Sequence, residues 1–179
     1  PTLRYDRASD EHYDTISAFI KSIRGSSPDA AVYYLARMIK GGEDPVFIAR
    51  RLVVLASEDI GNADPRALQV AISGLQAVEL VGWPEAGISL AQVTTYLASA
   101  PKSNSSYMAL LEAQAEVEKS GTLPVPLALR SAKTKEMKEL GYGKGYKYSH
   151  DGAKGFVEQT FLPDAIKDKK FYEPSERGF

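Results

Sequence analysis

Apolar residues recur at helical spacing through the first 120 positions, and a repeating Pro and Gly punctuation divides them. Ser27-Pro28, Asp44-Pro45 and Asp64-Pro65 each set a capping residue before a proline, while Gly25, Gly41-Gly42, Gly61 and Gly82 each follow an apolar run. Proline suits the first helical turn, where its missing N–H costs nothing, and glycine suits the position that ends a helix. The pattern predicts four successive helices. The first, over 10–24, sets Tyr13, Ile16, Ile20 and Ile23 on one face. The second, over 28–40, sets Val32, Leu35, Ala36 and Ile39 together, and the fourth, over 65–81, sets Leu68, Ala71, Ile72, Leu75, Val78 and Leu80 together. The third, from Pro45 to Gly61, is different. Val46, Phe47, Ile48, Leu52, Val53, Val54, Leu55 and Ile60 leave it little polar face, which predicts burial on more than one side. Ser27, Asp44 and Asp64 are the expected N-caps.

A fifth helix is predicted over 84–100. Ala86, Leu90, Val93, Leu97 and Ala100 alternate by four and three, the spacing of a packing seam, and Pro101 stops it. Ser103 or Asn104 can cap a sixth, with Tyr107, Leu110, Leu111 and Val117 turned inward and an end near Gly121. Short turns favour antiparallel neighbours. The expectation is therefore an all-α fold, an antiparallel helical bundle over 1–121. Beyond it the texture changes. Leu123-Pro124-Val125-Pro126 is extended or turn-like, because a residue before proline avoids the helical region. A short helix over 131–140 leads into the glycine–tyrosine–lysine loop 141–148, and the rest is irregular, so 122–179 reads as a smaller loop-rich lobe. No repeat with the period of a solenoid is present.

Composition narrows the chemistry. A chain of 179 residues can bury roughly 70% of its unfolded surface without covalent staples. The absence of cysteine excludes disulfides and thiolate metal sites and fits a reducing compartment. His12 and His150 alone cannot build a histidine-rich zinc site. No apolar run reaches the roughly 18–20 residues of a membrane span, and no signal-peptide pattern opens the chain. Because it opens on Pro1 and not Met, a fragment of a longer protein is expected. With 22 basic and 23 acidic side chains, no whole-domain electrostatic grip on nucleic acid is implied. Charge is uneven, however: Arg130, Lys133, Lys135, Lys138, Lys144 and Lys147 face only Glu136 and Glu139 in that stretch.

Catalytic motifs are lacking. Pro101-Lys102-Ser103 has neither the glycines nor the preceding strand of a phosphate loop and reads as a helix stop and restart. The G-x-G-x-G run at 141–145 is not the dinucleotide fingerprint. Glu58-Asp59 reads as a structural ion-pairing element and not as a catalytic dyad. Arg50-Arg51 sits among apolar residues, so either their stems snorkel to water or one pairs with a carboxylate across an interface. His150-Asp151 has no second His-Asp set with which to hold a metal. Tyr142, Tyr146, Lys144 and Lys147 can stack on bases and bind phosphates, or close a small lobe as a tyrosine cluster.

Longer strings carry a resemblance. They are His12-Tyr13-Asp14-Thr15-Ile16-Ser17-Ala18, Tyr34-Leu35-Ala36-Arg37-Met38, Ile48-Ala49-Arg50-Arg51-Leu52, Ala56-Ser57-Glu58-Asp59-Ile60-Gly61-Asn62-Ala63-Asp64-Pro65-Arg66-Ala67, Ala100-Pro101-Lys102-Ser103-Asn104, Met137-Lys138-Glu139-Leu140-Gly141-Tyr142-Gly143 and Tyr148-Ser149-His150-Asp151. With them the chain resembles the C-terminal region of the replication-associated recombination protein A family, also called MgsA. These are AAA+ ATPases akin to clamp-loader subunits, with the Werner-helicase-interacting ATPase as a eukaryotic relative. Tyr34 stands where many members carry Trp, and Ser27 where Asp or Ala is common.

The resemblance implies a helical oligomerisation collar from a homotetrameric ATPase that acts on DNA at stalled forks with single-strand-binding protein as partner, cytoplasmic and nucleoid-associated. It implies ATP and magnesium for an upstream core and no cofactor, catalytic residue or metal in this stretch. The excess of apolar helix surface over 45–100 makes Ala86, Leu90, Val93 and Leu97, with Arg50 and Arg51, the expected subunit interface. Lys133, Lys135, Lys138, Tyr142, Lys144, Tyr146 and Lys147 are the expected contacts to nucleic acid or to the tail of single-strand-binding protein. The alternative role is a DNA- or partner-binding appendage. An independent enzyme would need a convergent acid–base or metal set that the sequence does not offer.

Overall fold

Helix boundaries fall at the Pro and Gly positions. The structure, a computed structural model, describes the backbone of residues 2–178 and the side chains of residues 9–178. The described residues form seven α-helices and no strand: α1 (Thr2–Arg24), α2 (Pro28–Lys40), α3 (Pro45–Leu55), α4 (Arg66–Val81), α5 (Ala86–Ser99), α6 (Ser105–Ser120) and α7 (Lys135–Glu139). The all-α class expected from the sequence is the observed one. Asp44 caps α3, its Oδ1 accepting from the Val46 N–H at 3.0 Å. Asp64 serves α4 in the same way, accepting from the Arg66 N–H at 3.1 Å. Ser27 does not cap with its side chain; its carbonyl accepts from Ala31 N–H at 3.0 Å, the first bond of α2. The first helix starts at Thr2 and not at 10, because periodicity marks only the part of a helix that carries an apolar face.

Two features were not legible as helix punctuation. The third helix widens after Leu55 into a π-helical turn, Ala56–Ile60, followed by a 3₁₀ turn, Gly61–Ala63. At the junction Gly61 takes φ +50°, and a Cβ there would lie 2.9 Å from the Ser103 carbonyl oxygen. Only glycine fits this approach of backbone to backbone.

The chain separates by internal contacts into two compact units, Pro1–Leu110 with Tyr172–Phe179, and Leu111–Phe171. In the first unit α5 is the central element and touches α1, α2, α3 and α4. Its Ala86, Leu90, Val93, Thr94, Leu97 and Ala98 are all buried. The inward faces of the other helices are rotated by about one residue from the large-apolar pattern. Phe19 and Ile23 anchor α1, with Tyr13 exposed; Ala31, Leu35 and Met38 anchor α2, with Val32 and Ala36 exposed. On α4 the buried set is Ala67, Ala71 and Val78, while Leu68, Ile72 and Leu80 face out. On α4 the physical reason is close approach: a Cβ on Gly74 would meet the Val93 Cγ2 of α5 at 2.5 Å, so small residues must line that contact.

The third helix is likewise not buried on several sides. Ile48, Ala49, Leu52 and Leu55 are buried, but Phe47 and Val54 are exposed on the opposite stripe. Tyr107, Leu110, Leu111 and Val117, expected to turn inward from α6, are all exposed, and no residue of α6 is buried.

In the second unit no side chain of 111–171 is fully buried. Its order comes from caps, turns and polar contacts. The expected short helix is limited to α7, which Thr134 caps by accepting from Met137 N–H at 3.1 Å. Short 3₁₀ turns at Leu127–Leu129, Ser149–Asp151, Ala153–Gly155 and Asp164–Ile166 make up the rest.

Candidate functional site

The outer stripe of α3 carries the residues with the clearest surface chemistry. Phe47, Arg50, Val54 and Ser57 recur by three and four along it, so they share one face. Beside them Arg51, Val53, Val54, Ser57 and Glu58 of α3 and the π turn form a groove of about 660 Å³ with Ser106, Tyr107 and Leu110 of α6. Val54 is 46% exposed and Leu110 56%. Arg51 is half-buried, and its Nε is enclosed without a hydrogen-bond partner in the described residues. A guanidinium donor left unmatched is costly unless another group reaches it. Of the two sequence readings for Arg50-Arg51, Arg50 is exposed at the surface and Arg51 makes no ion pair among the described residues.

Ala86, Leu90, Val93 and Leu97 are placed elsewhere. Each is no more than 4% exposed, and their side chains fill the core of the chain itself. The expected interface seam is thus covered from within: helical spacing reveals an apolar face but not which helices cover it.

The polar groups near the π turn are structural. Arg24 Nε donates to Asp59 Oδ1 at 2.8 Å, and its Nη2 lies 3.8 Å from Glu58 Oε1, so one guanidinium holds both neighbouring acids. The bond to Asp59 outweighs partial desolvation and raises the Arg24 pKa further. Lys102 Nζ donates to the carbonyls of Ala100 at 2.6 Å and Ala98 at 3.2 Å and to Ser26 Oγ at 3.0 Å. A cation on the last carbonyls of α5 complements the helix dipole, and partial burial lowers its pKa. This is the helix stop and restart read from the sequence. Ser103 continues it: its N–H donates to the Asp59 carbonyl at 2.8 Å, and its Oγ accepts from Ser105 N–H at 3.3 Å at the start of α6.

The second unit brings the loop residues together. Gly141 N–H donates to Lys138 O, Tyr142 N–H to Met137 O, Gly143 N–H to Leu127 O and Lys144 N–H to Gly141 O. The Arg130 guanidinium lies 5.1 Å from the Tyr142 ring centroid, and Arg130 Nε donates to Val125 O at 2.8 Å. Tyr142 is therefore half-buried under Arg130, whereas Lys133, Lys135, Lys138, Lys144 and Tyr146 are exposed. Lys147 is exposed but tied: its backbone pairs with the Gln159 side chain and its Nζ donates to Glu158 O at 3.3 Å. Among the described residues no group of three or more His, Asp or Glu side chains is placed to share a metal ion, and no helix is long and apolar enough to cross a membrane.

Two family models adjoin where α1 ends. One, AAA C-terminal domain, matches residues 1–24; the other, MgsA AAA+ ATPase C terminal, matches 25–179. The chain belongs to the MgsA AAA+ ATPase C-terminal family. Relatives of this MgsA C-terminal chain carry the same region. Replication-associated recombination protein A of Escherichia coli strain K12 is 47% identical over 178 residues, 99% of this chain and 40% of the relative. The protein of the same name from Coxiella burnetii is 48% identical over 176 residues, 98% of this chain and 40% of the relative. ATPase WRNIP1 of Dictyostelium discoideum is 45% identical over 173 residues, 96% of this chain and 20% of the relative. The chain spans 40% or less of the length of these curated relatives.

The MgsA C-terminal residues missed by sequence reasoning are those whose large side chains turn outward. A signal for them was present on α4: Ala67, Ala71 and Gly74 form a small-residue stripe at helical spacing, which marks close packing on that side and leaves Leu68 and Ile72 for the other.

Proposed function

We propose that this chain is the self-association module of an AAA+ ATPase that works in replication-associated recombination. The observation that supports the reading best is the apolar outer face of α3 and α4. Phe47 and Val54 lie outward on α3, and on α4 Leu68 and Ile72 lie outward while Ala67 and Ala71 pack inward. Such a face is stabilising only if a second surface covers it, since apolar area gains about 25 cal/mol per Å² when removed from water. The groove beside Tyr107 and Leu110, the unmatched Arg51 Nε and the absence of any fully buried side chain in 111–171 support the same reading.

The parent, in this proposal, is a homotetramer that hydrolyses ATP with magnesium in a core outside this chain. It acts on DNA at stalled forks with single-strand-binding protein, in the cytoplasm at the nucleoid. The names of the relatives supply the recombination setting. The test is sedimentation velocity of wild type, Val54→Glu and Ile72→Glu. Charged groups on an interface should release monomers that keep their helical circular dichroism, because both side chains are exposed in the single chain. If both variants sediment as the wild-type oligomer does, α3 and α4 do not form the interface.

A further inference from the structure

We propose that the loop at 133–148 binds single-stranded nucleic acid, with Lys133, Lys135, Lys138 and Lys144 on phosphates and Tyr146 stacked on a base. Charge is the first ground. Residues 130–147 carry six basic side chains and two acidic ones in a chain whose net charge is −1. None of these four lysines makes an ion pair among the described residues, so their charges are available to a polyanion.

Shape is the second ground. Gly141, Gly143 and Gly145 take φ values of +91°, +78° and +83°, which folds the loop back on α7. The bond from Gly141 N–H to Lys138 O and that from Lys144 N–H to Gly141 O make two successive turns between Lys138 and Lys144. Lys133 and Lys135 flank Thr134, the cap of the same helix. The four cations thus lie on α7, on its cap and on the turns that directly follow it.

The aromatic groups divide into two kinds. Tyr142 is engaged by Arg130 and holds the turn in shape. Tyr146 is 48% exposed and pairs with no other described ring, which leaves it the more accessible of the two. Bases stack on such a face only when they are unpaired from a complementary strand, which favours a single strand over a duplex. An acidic peptide would match the lysines but would leave the tyrosine face without a role.

The test uses the full chain and fluorescence anisotropy with labelled oligothymidine, its duplex with oligoadenosine, and oligoglutamate, between about 50 and 200 mM salt. Wild type should bind oligothymidine, with log K falling against log salt at a slope of about −3 for four phosphates. In Lys138→Ala/Lys144→Ala the slope should become shallower by about 1.4. In Tyr146→Ala affinity should fall about five-fold or more with the slope unchanged, while Tyr146→Phe should bind as wild type does. Circular dichroism establishes that each variant is folded. No binding by wild type, an unchanged slope in the lysine double variant, full affinity in Tyr146→Ala, or equal or tighter binding of the duplex or of oligoglutamate would each overturn the assignment.

Discussion

The Tyr96 hydroxyl donates to Asp64 Oδ2 at 2.6 Å, joining α5 to the start of α4 across 32 residues of sequence. The other carboxylate oxygen accepts from the Arg66 N–H and from Arg66 Nε, each at 3.1 Å. Asp64 is therefore both a cap and a tertiary tie, buried to 3% exposure. Removing one donor should be felt in full, because a buried charged acceptor loses its partner. Tyr96→Phe should cost about 1.5–3 kcal/mol in urea unfolding. Asp64→Ala should cost more than the roughly 1 kcal/mol of a simple cap. A loss for Asp64→Ala no larger than that of an exposed cap would mean that the tie to Tyr96 contributes nothing.

The same pair sets a pH window. Burial alone would raise the Asp64 carboxyl, but the bonds from Tyr96 and Arg66 outweigh it and hold its pKa below the ordinary value. Its contribution is present above about pH 4, where the unfolded carboxyl ionises, and is lost as pH falls through the lower folded value. Tyr96 moves up, first through its bond to Asp64 and then through burial. Its contribution is present below about pH 10 and is lost as pH rises through the higher folded value. Urea midpoints measured across pH should fall at both ends, and in Tyr96→Phe the alkaline fall should be smaller. Parallel profiles for the two proteins would contradict this coupling.

Leu90 and Val93 test whether the α5 seam is core or interface. Both are buried inside the chain, so Leu90→Ala should cost about 2–5 kcal/mol. Leu90→Glu should abolish the cooperative fold. A folded, soluble Leu90→Glu monomer would show instead that this seam is open to a partner.

Gly61 and Gly82 both take positive φ but differ in surroundings. A Cβ at Gly61 meets the Ser103 carbonyl at 2.9 Å, while at Gly82 it meets nothing within 4 Å. Gly82→Ala should cost about 1–3 kcal/mol for conformation alone, and Gly61→Ala more than that, because backbone must also move. Equal thermal midpoints for the two variants would mean that the junction after the π turn is not tight.

These contrasts mark how far the sequence could be read. Pro45, Asp44, Asp64 and Gly82 gave helix limits because capping and φ preference are local. The rotated faces were hidden because large apolar residues dominate a periodicity count, whereas Ala31, Ala67 and Gly74 line the contacts that need small side chains. The π turn at Ala56–Ile60 leaves no signature in residue spacing. Arg24 holding Glu58 and Asp59, like Tyr96 reaching Asp64, depends on helix docking that no local pattern encodes. In the loop the lysines and glycines were legible, but the stack of Arg130 on Tyr142, which separates a structural tyrosine from the open Tyr146, was not.

Self-association is the claim on which the account stands, and mass in solution tests it most directly. Light scattering of the wild-type chain at several concentrations up to tens of micromolar should give four times the 19.5 kDa of one chain, the mass of the proposed homotetramer. A mass of one chain at every concentration would contradict it.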